Sequence, residues 1–295
     1  MPMSQKTTLI TGSEGLLGSS LVPFLKNLNY NVIRHSRSGS TEAIGDLVDK
    51  KIVWKVLDDH TPDFIINLAA ATNVDECERK PNYAYLLNVR ILENIVSWIQ
   101  SKQSKTHLIH VSTDQVYDGK GPHLEDNVEL TNYYSFSKYT GELVANAVSS
   151  TVLRTNFFGY SKNDIRRSFS DWIIESVDAD KEITVFEDIR FSPLSLSTLV
   201  EMIHKVLLNP KKGIYNLGSS DGISKADFAY KLADILNKSK EKIRKGSIFD
   251  LNLKAYRPRD MTMNVSKFES DFDIRLPKVE DEILTLLQKG ESFPQ

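Results

Sequence analysis

The chain has 295 residues, of which 40% are hydrophobic and 26% charged, and its net charge is -2 at pH 7. A chain of this length and composition buries enough apolar surface to fold without disulfides or metals, and it is long enough for roughly two domains. The near-neutral charge argues against nucleic acid as the main partner. Without an apolar run of about 20 residues or an apolar N-terminal segment, we expect a cytoplasmic protein with no membrane partner.

Strand-like and helix-like segments alternate through the first half of the chain. The predicted strands, short and rich in apolar or β-branched residues, are 7–11, 31–34, 64–68, 107–111 and 151–154. The predicted helices, with apolar residues at helical spacing, are 16–28, 52–59, 83–100 and 135–149. Apolar strands separated by helices are typical of a sheet covered on both faces. The predicted fold is therefore α/β, a Rossmann-type doubly wound parallel sheet.

After about residue 156 the alternation becomes weaker, and residues 157–188 are rich in charges and aromatic rings. The later predicted elements are helices at 194–207, 225–236 and 279–287 and a strand at 214–217. We find no repeat or clear linker. We therefore predict a first domain over 1–155 and a smaller α/β lobe over 156–295, with about 188–208 returning to the first domain.

A glycine-rich segment follows the first predicted strand and opens the first predicted helix. Gly12 permits a tight turn, Gly15 lets backbone N–H groups approach a pyrophosphate, and Gly18 allows close helix–strand packing. The helix N-terminus adds partial positive charge. The spacing, GxxGxxG, is one residue longer at its start than the usual GxGxxG, and a plain turn is the alternative. The predicted cofactor-binding residues here are Gly12, Ser13, Glu14, Gly15, Leu16, Leu17 and Gly18.

The residues after the second predicted strand indicate which cofactor binds. An acid at this place binds the ribose 2′-OH of NAD, but residues 31–40 contain neither Asp nor Glu. They do contain Arg34 and Arg37, and arginine suits a 2′-phosphate through charge-assisted hydrogen bonds. We predict NADPH, with NADH as the alternative cofactor and solvated loop arginines as the alternative interpretation.

Three residues suit reduction of a carbonyl group. Tyr134 and Lys138 lie four residues apart on one predicted helix and share a face. A lysine ammonium lowers a tyrosine pKa from its usual value of about 10, so the tyrosine can pass a proton to a carbonyl oxygen while hydride reaches the carbon. Thr113 follows a strand at the carboxyl edge of the sheet, where its hydroxyl can donate to the same oxygen. We predict Thr113, Tyr134 and Lys138 as the catalytic residues.

Several further segments run along nearly the whole chain. They are TGSEGLLGSSL from Thr11, INLAAATNVDECE from Ile66, NV at Asn88, HVSTDQVYDG from His110, NYYSFSKYTGE from Asn132, LRTNFFG from Leu153, GIYNLGSSDGISKADFA from Gly213 and RPRDMTMNVSKFES with IRLP from Arg257. Together they resemble one family, the dTDP-4-dehydrorhamnose reductases among the extended short-chain dehydrogenases/reductases. The STDxVYDG segment and the RP…SK…LP tail are fairly specific. The glycine loop and YxxxK are shared with the whole superfamily.

The resemblance implies a dinucleotide-binding N-terminal domain and a C-terminal lobe that binds a nucleotide-diphospho-sugar. It implies reduction of a 4-keto group on a 6-deoxyhexose, with Thr113, Tyr134 and Lys138 matching the catalytic trio. Beyond the glycine loop, the matching cofactor residues are Asp46, Leu47, Ala69, Ala70, Ala71, Asn88, Val111, Tyr134 and Lys138. The matching substrate residues are Thr113, Asp114 and Phe157. Arg257, before Pro258, is a further candidate for the diphosphate, with a surface ion pair as the alternative.

Two departures from the family pattern lie on the expected substrate side. Many members have tryptophan where Phe157 stands, and many read D-Q-x-G-x-P where this chain has residues 188–193. The particular sugar and nucleotide therefore stay open. We predict no metal, and a homodimer is left as an open alternative.

Three functions follow from this pattern. The first is an NADPH-dependent nucleotide-sugar 4-ketoreductase, with dTDP-4-dehydrorhamnose as the expected substrate. The second is a sugar-nucleotide epimerase or dehydratase that recycles bound NAD, against which the missing acid counts. The third is a non-catalytic NADP-binding subunit, because one relative of this family serves methionine adenosyltransferase in that way.

Overall fold

A computed structural model describes residues 6–161 and 167–288. Its strands are β1 (Thr7–Thr11), β2 (Asn31–Ser36), β3 (Ala43–Ile44), β4 (Phe64–Asn67), β5 (His107–Val111), β6 (Ser150–Thr155), β7 (Phe157–Phe158), β8 (Ile183–Phe186), β9 (Arg190–Phe191), β10 (Leu194–Ser195), β11 (Gly213–Leu217), β12 (Ile223–Ser224) and β13 (Ile243–Gly246). Its α-helices are α1 (Gly18–Asn27), α2 (Lys50–His60), α3 (Val74–Arg79), α4 (Pro81–Tyr85), α5 (Ile91–Ser101), α6 (Tyr133–Ala145), α7 (Phe169–Asp178), α8 (Leu196–Leu208), α9 (Lys225–Ile235), α10 (Ser266–Phe272) and α11 (Val279–Gln288).

A seven-stranded sheet has the order β11-β6-β5-β4-β1-β2-β3. The pairs from β6 across to β3 are parallel, and the register places Leu9 of β1 beside both Ile33 of β2 and Ile65 of β4. Leu9 and Ile65 are fully buried, because the helices between parallel strands cover both faces of such a sheet. The α/β Rossmann-type fold predicted from the alternating pattern is confirmed.

The chain divides into two compact units. The first contains the residues up to Thr113 together with Asn132–Leu153 and Met202–Tyr215, and the second contains Asp114–Thr131, Arg154–Glu201 and the residues from Asn216 onward. These boundaries differ from the predicted domains, 1–155 and 156–295. The segment 114–131 groups with the second unit, and the returning segment is 202–215 instead of about 188–208. Such exchanges depend on contacts far apart in sequence, which local patterns do not reveal.

Each unit has its own apolar core. In the first unit, residues of the sheet such as Leu9 and Leu108 pack with helical residues such as Leu92. In the second unit, aromatic rings dominate the core, and Phe228 on α9 lies with its ring centroid 4.9 Å from Phe158 and 5.5 Å from Phe191. No helix among the described residues has the length and apolar character to cross a membrane.

The predicted helix 83–100 is interrupted in the structure by a π-helical turn. The segment is α4, then a π-helical turn over Leu86–Arg90, then α5. A π-helical turn adds a residue to the helical repeat and commonly occurs at functional sites. Sequence periodicity does not distinguish it from a regular helix, because every residue remains helical.

Candidate functional site

The glycine loop of the first unit is closed tightly on itself. Gly12 has a φ of +65°, the left-handed region that favours glycine, and a Cβ there would lie 3.0 Å from the backbone nitrogen of Ala69. A Cβ at Gly18 would lie 2.6 Å from the carbonyl oxygen of Gly12. Side chains at these two positions would therefore push the loop away from the strand edge. The backbone therefore leaves no room for a side chain at Gly12 or Gly18.

The same loop presents unpaired donors at the start of α1. Among the described residues, the backbone N–H groups of Leu16 and Leu17 have no hydrogen-bond acceptor. A Cβ at Gly15 would meet only the Gly12 oxygen, at 3.2 Å, so the remaining space beside Gly15 is open. Free N–H groups at a helix N-terminus attract phosphate oxygens. This part of the chain therefore fits the pyrophosphate of a dinucleotide.

Arg34 of β2 is already paired with a carboxylate. Its Nε donates to Oε2 of Glu42 at 2.8 Å, and its Nη2 donates to Oε1 at 3.0 Å. This pair lowers the pKa of Glu42 to about 2, mainly through the hydrogen bonds from Arg34. Residues 31–40 lack an acid, but the parallel register of β2 and β3, with His35 opposite Ala43, brings Glu42 beside Arg34. Arg37, one residue beyond β2, is exposed.

Three of the predicted cofactor residues, Asp46, Leu47 and Ala69, lie on loops that follow strands of the sheet. Leu47 is buried, and its carbonyl accepts a hydrogen bond of 2.9 Å from Asn94 on α5. Asp46 is exposed, and its Oδ1 accepts from the N–H of Val48. The N–H of Ala69 donates to the Thr11 hydroxyl at 3.2 Å, which ties the loop after β4 to the end of β1.

Asn88 lies at the centre of the π-helical turn and is fully buried. Its Oδ1 accepts from the N–H of Ala71 at 2.8 Å, and its Nδ2 donates to the Ala71 carbonyl and to the hydroxyl of Ser137. A Cβ at Gly141 would lie 2.4 Å from the Asn88 carbonyl oxygen, so α6 packs directly on this turn. Asn88 thus links the loop that carries Ala70 and Ala71 to the helix that carries the predicted catalytic pair.

The helix α6 begins with a capping box in which Asn132 and Ser135 exchange hydrogen bonds. Tyr134 lies in the first turn and Lys138 one turn later, both buried. The Lys138 ammonium donates to the carbonyl oxygen of Val111, the last residue of β5, at 2.7 Å. Burial lowers the pKa of Lys138 to about 8. The helix therefore holds the lysine at the carboxyl edge of the sheet with a charge that titrates near neutral pH.

A buried carboxylate that sequence reasoning missed lies one turn beyond Lys138. Glu142 is 0% exposed, and its Oε1 accepts a hydrogen bond from the hydroxyl of Ser112. Its negative charge raises the pKa of Lys138 and so opposes the effect of burial. The sequence carried a signal for this group, because Glu142 is four residues after Lys138 and shares its helix face.

The predicted substrate residues do not all belong to one unit. Thr113 ends a segment of the first unit, two residues after β5, and is buried. Asp114 belongs to the second unit, where it is 1% exposed and its Oδ2 accepts from Asn156 at 2.8 Å. Phe157 is the first residue of β7 and lies opposite Leu194 of β10. Arg257 is half-buried, and its Nη1 donates to the carbonyl of Ala255.

Burial disfavours the charged forms of two other side chains, the imidazole of His110 and the thiol of Cys77. His110 on β5 is buried, its Nδ1 is 3.1 Å from the side-chain nitrogen of Asn67, and burial keeps its pKa well below the usual value. Burial likewise raises the pKa of the Cys77 thiol to about 11, so the thiolate is scarce at neutral pH. Within the ranges that the structure describes, no three His, Cys, Asp or Glu side chains cluster as metal ligands would.

The chain matches the family described as the RmlD substrate binding domain over residues 6–292. A dTDP-4-dehydrorhamnose reductase of Aggregatibacter actinomycetemcomitans is 30% identical over 285 residues, which cover 90% of this chain and 93% of the relative. A probable low-salt glycan biosynthesis reductase, Agl14, of Haloferax volcanii is 27% identical over 289 residues, which cover 94% and 96%.

A solved structure has the same fold. It is the dTDP-4-dehydrorhamnose reductase of Bacillus anthracis str. Ames in complex with NADP, with a TM-score of 0.87 at 24% identity, and the match covers 97% of this chain and 99% of that chain. The family resemblance and the oxidoreductase class predicted from sequence are confirmed. The loop at Gly12, the helix with Tyr134 and Lys138 and the match over residues 6–292 thus agree: the chain belongs to the RmlD family of reductases.

Proposed function

We propose that this protein is an NADPH-dependent reductase of the 4-keto group of a nucleotide-linked 6-deoxyhexose, with dTDP-4-dehydrorhamnose as its first candidate substrate. The observation that carries the proposal is the placement of Lys138, whose buried ammonium is held on the Val111 carbonyl one helical turn after Tyr134. An ammonium held in this way favours the phenolate form of a neighbouring tyrosine. A tyrosine with a lowered pKa transfers its proton more readily to a carbonyl oxygen.

Each residue of the trio has a separate role in the proposed reaction. The Tyr134 hydroxyl donates its proton to the C4 oxygen, and Lys138 favours the resulting phenolate and holds the nicotinamide ribose. The Thr113 hydroxyl donates a hydrogen bond to the same oxygen and polarises the carbonyl group. Developing negative charge on that oxygen is stabilised best by donors that are already fixed in place. Burial of all three residues suits this role, because it restricts their motion and excludes water.

The cofactor assignment rests on the loop at the start of α1. When bound, NADPH supplies the hydride that reduces the carbonyl carbon. The free N–H groups of Leu16 and Leu17 would hold its pyrophosphate. Arg37 would bind the 2′-phosphate, and Arg34 would join it if the pair with Glu42 opens. The presence of NADP in the similar Bacillus anthracis structure supports the same cofactor here.

The sugar and base are proposed from the relatives' names. The Aggregatibacter actinomycetemcomitans relative is named for dTDP-4-dehydrorhamnose, whereas the Haloferax volcanii relative is named for glycan biosynthesis. The two departures on the substrate side, at Phe157 and at residues 188–193, are where a different sugar or base would be accommodated. Asp114 and Arg257 remain the proposed contacts to the sugar and the diphosphate. The product would serve the assembly of a polysaccharide.

The test is oxidation of NADPH by the full chain, followed by absorbance with dTDP-4-dehydrorhamnose as substrate. Replacement of Tyr134 by Phe removes one hydroxyl and should lower kcat by about 100-fold or more, since general acid catalysis contributes about that much. Tyr133→Phe is the matched control, because Tyr133 is the preceding residue on the same helix and is 48% exposed. Both variants should bind NADPH as the wild type does.

The outcome also separates the other functions that the sequence left open. Turnover that disappears in Tyr134→Phe but persists in Tyr133→Phe supports the reductase. Purification with tightly bound NAD and sugar conversion without net redox change would instead favour an epimerase or dehydratase. No turnover with any 4-keto nucleotide sugar, together with capture of methionine adenosyltransferase, would favour a regulatory subunit.

A further inference from the structure

Lys225, the first residue of α9, has an unusual environment within the second unit. Its Nζ lies 3.5 Å from the ring centroid of Phe191 and 4.4 Å from that of Phe169. Both rings belong to the aromatic core of this unit, where they also pack with Phe228. The lysine backbone is fixed as well, because its N–H donates to the carbonyl of Ile189 at 2.8 Å. The ammonium is therefore held at a defined place by two aromatic faces.

Among the described residues, no carboxylate forms an ion pair with this ammonium and no oxygen accepts a hydrogen bond from its Nζ, whose contacts are the two rings. The carboxylate that acts on it is Asp114, through its charge and not through a hydrogen bond. Desolvation lowers its pKa to about 8, while the charge of Asp114 partly opposes that effect. A positive charge in the first turn of a helix is also unfavourable, since that end of the helix dipole is positive. Partial desolvation, the lack of an ion pair and the helix dipole thus all disfavour the charged form of Lys225.

Cation–π contact offsets only part of these costs, at about 0.5–2 kcal/mol. Lys225 is half-buried, and a charge that is partly removed from water without a carboxylate in contact is costly. Charged groups with perturbed pKa values cluster at binding and catalytic sites. Two residues that interact with Lys225, Phe191 and Asp114, belong to segments that the family resemblance assigns to substrate binding. Phe191 lies within residues 188–193, where this chain departs from the D-Q-x-G-x-P of many relatives, and Asp114 is a predicted substrate residue.

We propose that Lys225 is a substrate-binding residue whose ammonium takes the diphosphate oxygens of the nucleotide sugar. This inference rests on the proposed function, because it names a ligand group for the same substrate. A lysine ammonium is a compact point charge with three donors, and phosphate oxygens are among its strongest acceptors. The rings of Phe169 and Phe191 hold the ammonium in place before the ligand arrives, which lowers the entropic cost of binding.

The test compares two ligands that differ by the diphosphate. Binding of dTDP and of thymidine to the full chain is measured by calorimetry for the wild type, Lys225→Met and Lys225→Arg. Methionine keeps an unbranched apolar chain on the two rings but removes the charge, whereas arginine retains it. Lys245→Met is the matched control, because Lys245 also lies over a ring, that of Tyr230 at 5.7 Å, but is paired with Asp227.

We expect Lys225→Met to weaken dTDP binding by about tenfold or more, as loss of a charged hydrogen bond does, and to leave thymidine binding within about twofold. Lys225→Arg should restore most of the affinity, and Lys245→Met should bind as the wild type does. Unchanged dTDP binding in Lys225→Met, or equal weakening of both ligands, would overturn the inference. Wild-type protein that binds dTDP no better than thymidine would overturn it as well.

The reductase assay separates this inference from the proposed function. Turnover of dTDP-4-dehydrorhamnose that is unaffected in Lys225→Met would leave the reductase standing and reject the role of Lys225. Failure of turnover in the wild type, with dTDP binding that still depends on Lys225, would reject the reductase and retain the diphosphate site. If the proposal is right, Lys225→Met should raise KM and leave kcat nearly unchanged, because the lost contact is to the diphosphate and not to the reacting carbonyl.

Discussion

The buried carboxylate of Glu142 should control the pH at which the enzyme loses activity. Burial alone drives the Lys138 pKa down, and the nearby negative charge of Glu142 keeps it at about 8. Replacement by Gln removes this charge and keeps the size of the side chain. The amide can still accept the hydrogen bond from Ser112. We therefore expect Glu142→Gln to make Lys138 lose its proton at lower pH, with little change in packing.

The size of this effect follows from the helix geometry. Residues four apart on a helix face have Cβ atoms about 6 Å apart, and two unit charges at that distance interact with about 3 kcal/mol at an effective dielectric constant of about 20. A free energy of about 1.4 kcal/mol corresponds to one pH unit. Loss of the Glu142 charge should thus move the alkaline limb of the pH–rate profile by about one to two pH units toward acid.

The sign follows from the role of Lys138. The proposed reaction needs the protonated lysine, which is present below its pKa, so wild-type kcat/KM should fall as pH rises through about 8. The Glu142→Gln variant should already have lost about threefold to 25-fold at pH 7.5, and it should remain within about twofold of the wild type at pH 5.5.

The assay is the pH dependence of kcat/KM, which reports groups of the free enzyme. Ser112→Ala is the control, because it removes the hydroxyl that donates to Glu142 but leaves the carboxylate charge. It should move the alkaline limb much less than Glu142→Gln. An alkaline limb at the same pH in wild type and Glu142→Gln, or a uniform rate loss at every pH, would refute the electrostatic argument.

Three further predictions concern the cofactor site and the two cores. Glu42→Gln should release the guanidinium of Arg34 and tighten NADPH binding about threefold to tenfold relative to NADH, as a fluorescence titration would reveal, and equal changes for both cofactors would contradict this. Gly141→Ala places a Cβ 2.4 Å from the Asn88 carbonyl and should cost about 1–3 kcal/mol in urea unfolding and also slow turnover. Full stability in that variant would show that α6 can shift without cost. Phe228→Ala, at a fully buried ring, should cost about 3–5 kcal/mol, and a loss under 1 kcal/mol would mean that the aromatic core collapses around the space.

Local patterns were sufficient for the features that depend on neighbours in the chain. The strand 107–111 was predicted at its observed bounds, because a short apolar run is typical of a strand that is buried on both faces. The glycine loop was recognised because it lies between a strand and a helix. Tyr134 and Lys138 were paired by their four-residue spacing, which places them on one face of any regular helix.

Other features of the site depend on contacts between distant segments. Arg34 was predicted to be available to a phosphate, but the two-residue strand β3 brings Glu42 beside it. The π-helical turn that aims Asn88 at Ala71 is formed where α6 packs on it through Gly141. Neither a two-residue strand nor one extra residue in a helical turn produces a periodic signal in the sequence.

The amino-acid sequence by itself determined the fold class, the glycine loop between a strand and a helix, and the common helix face of Tyr134 and Lys138. Each of these features depends on the spacing of residues within one turn or one strand. Only the tertiary structure decided which charges lie close together: Glu142 is near Lys138, Glu42 is paired with Arg34, and the Lys225 ammonium lies on two aromatic rings. The physical reason is that electrostatic energy depends on burial and on distance in space. Both quantities are set by packing between segments that are remote in the chain.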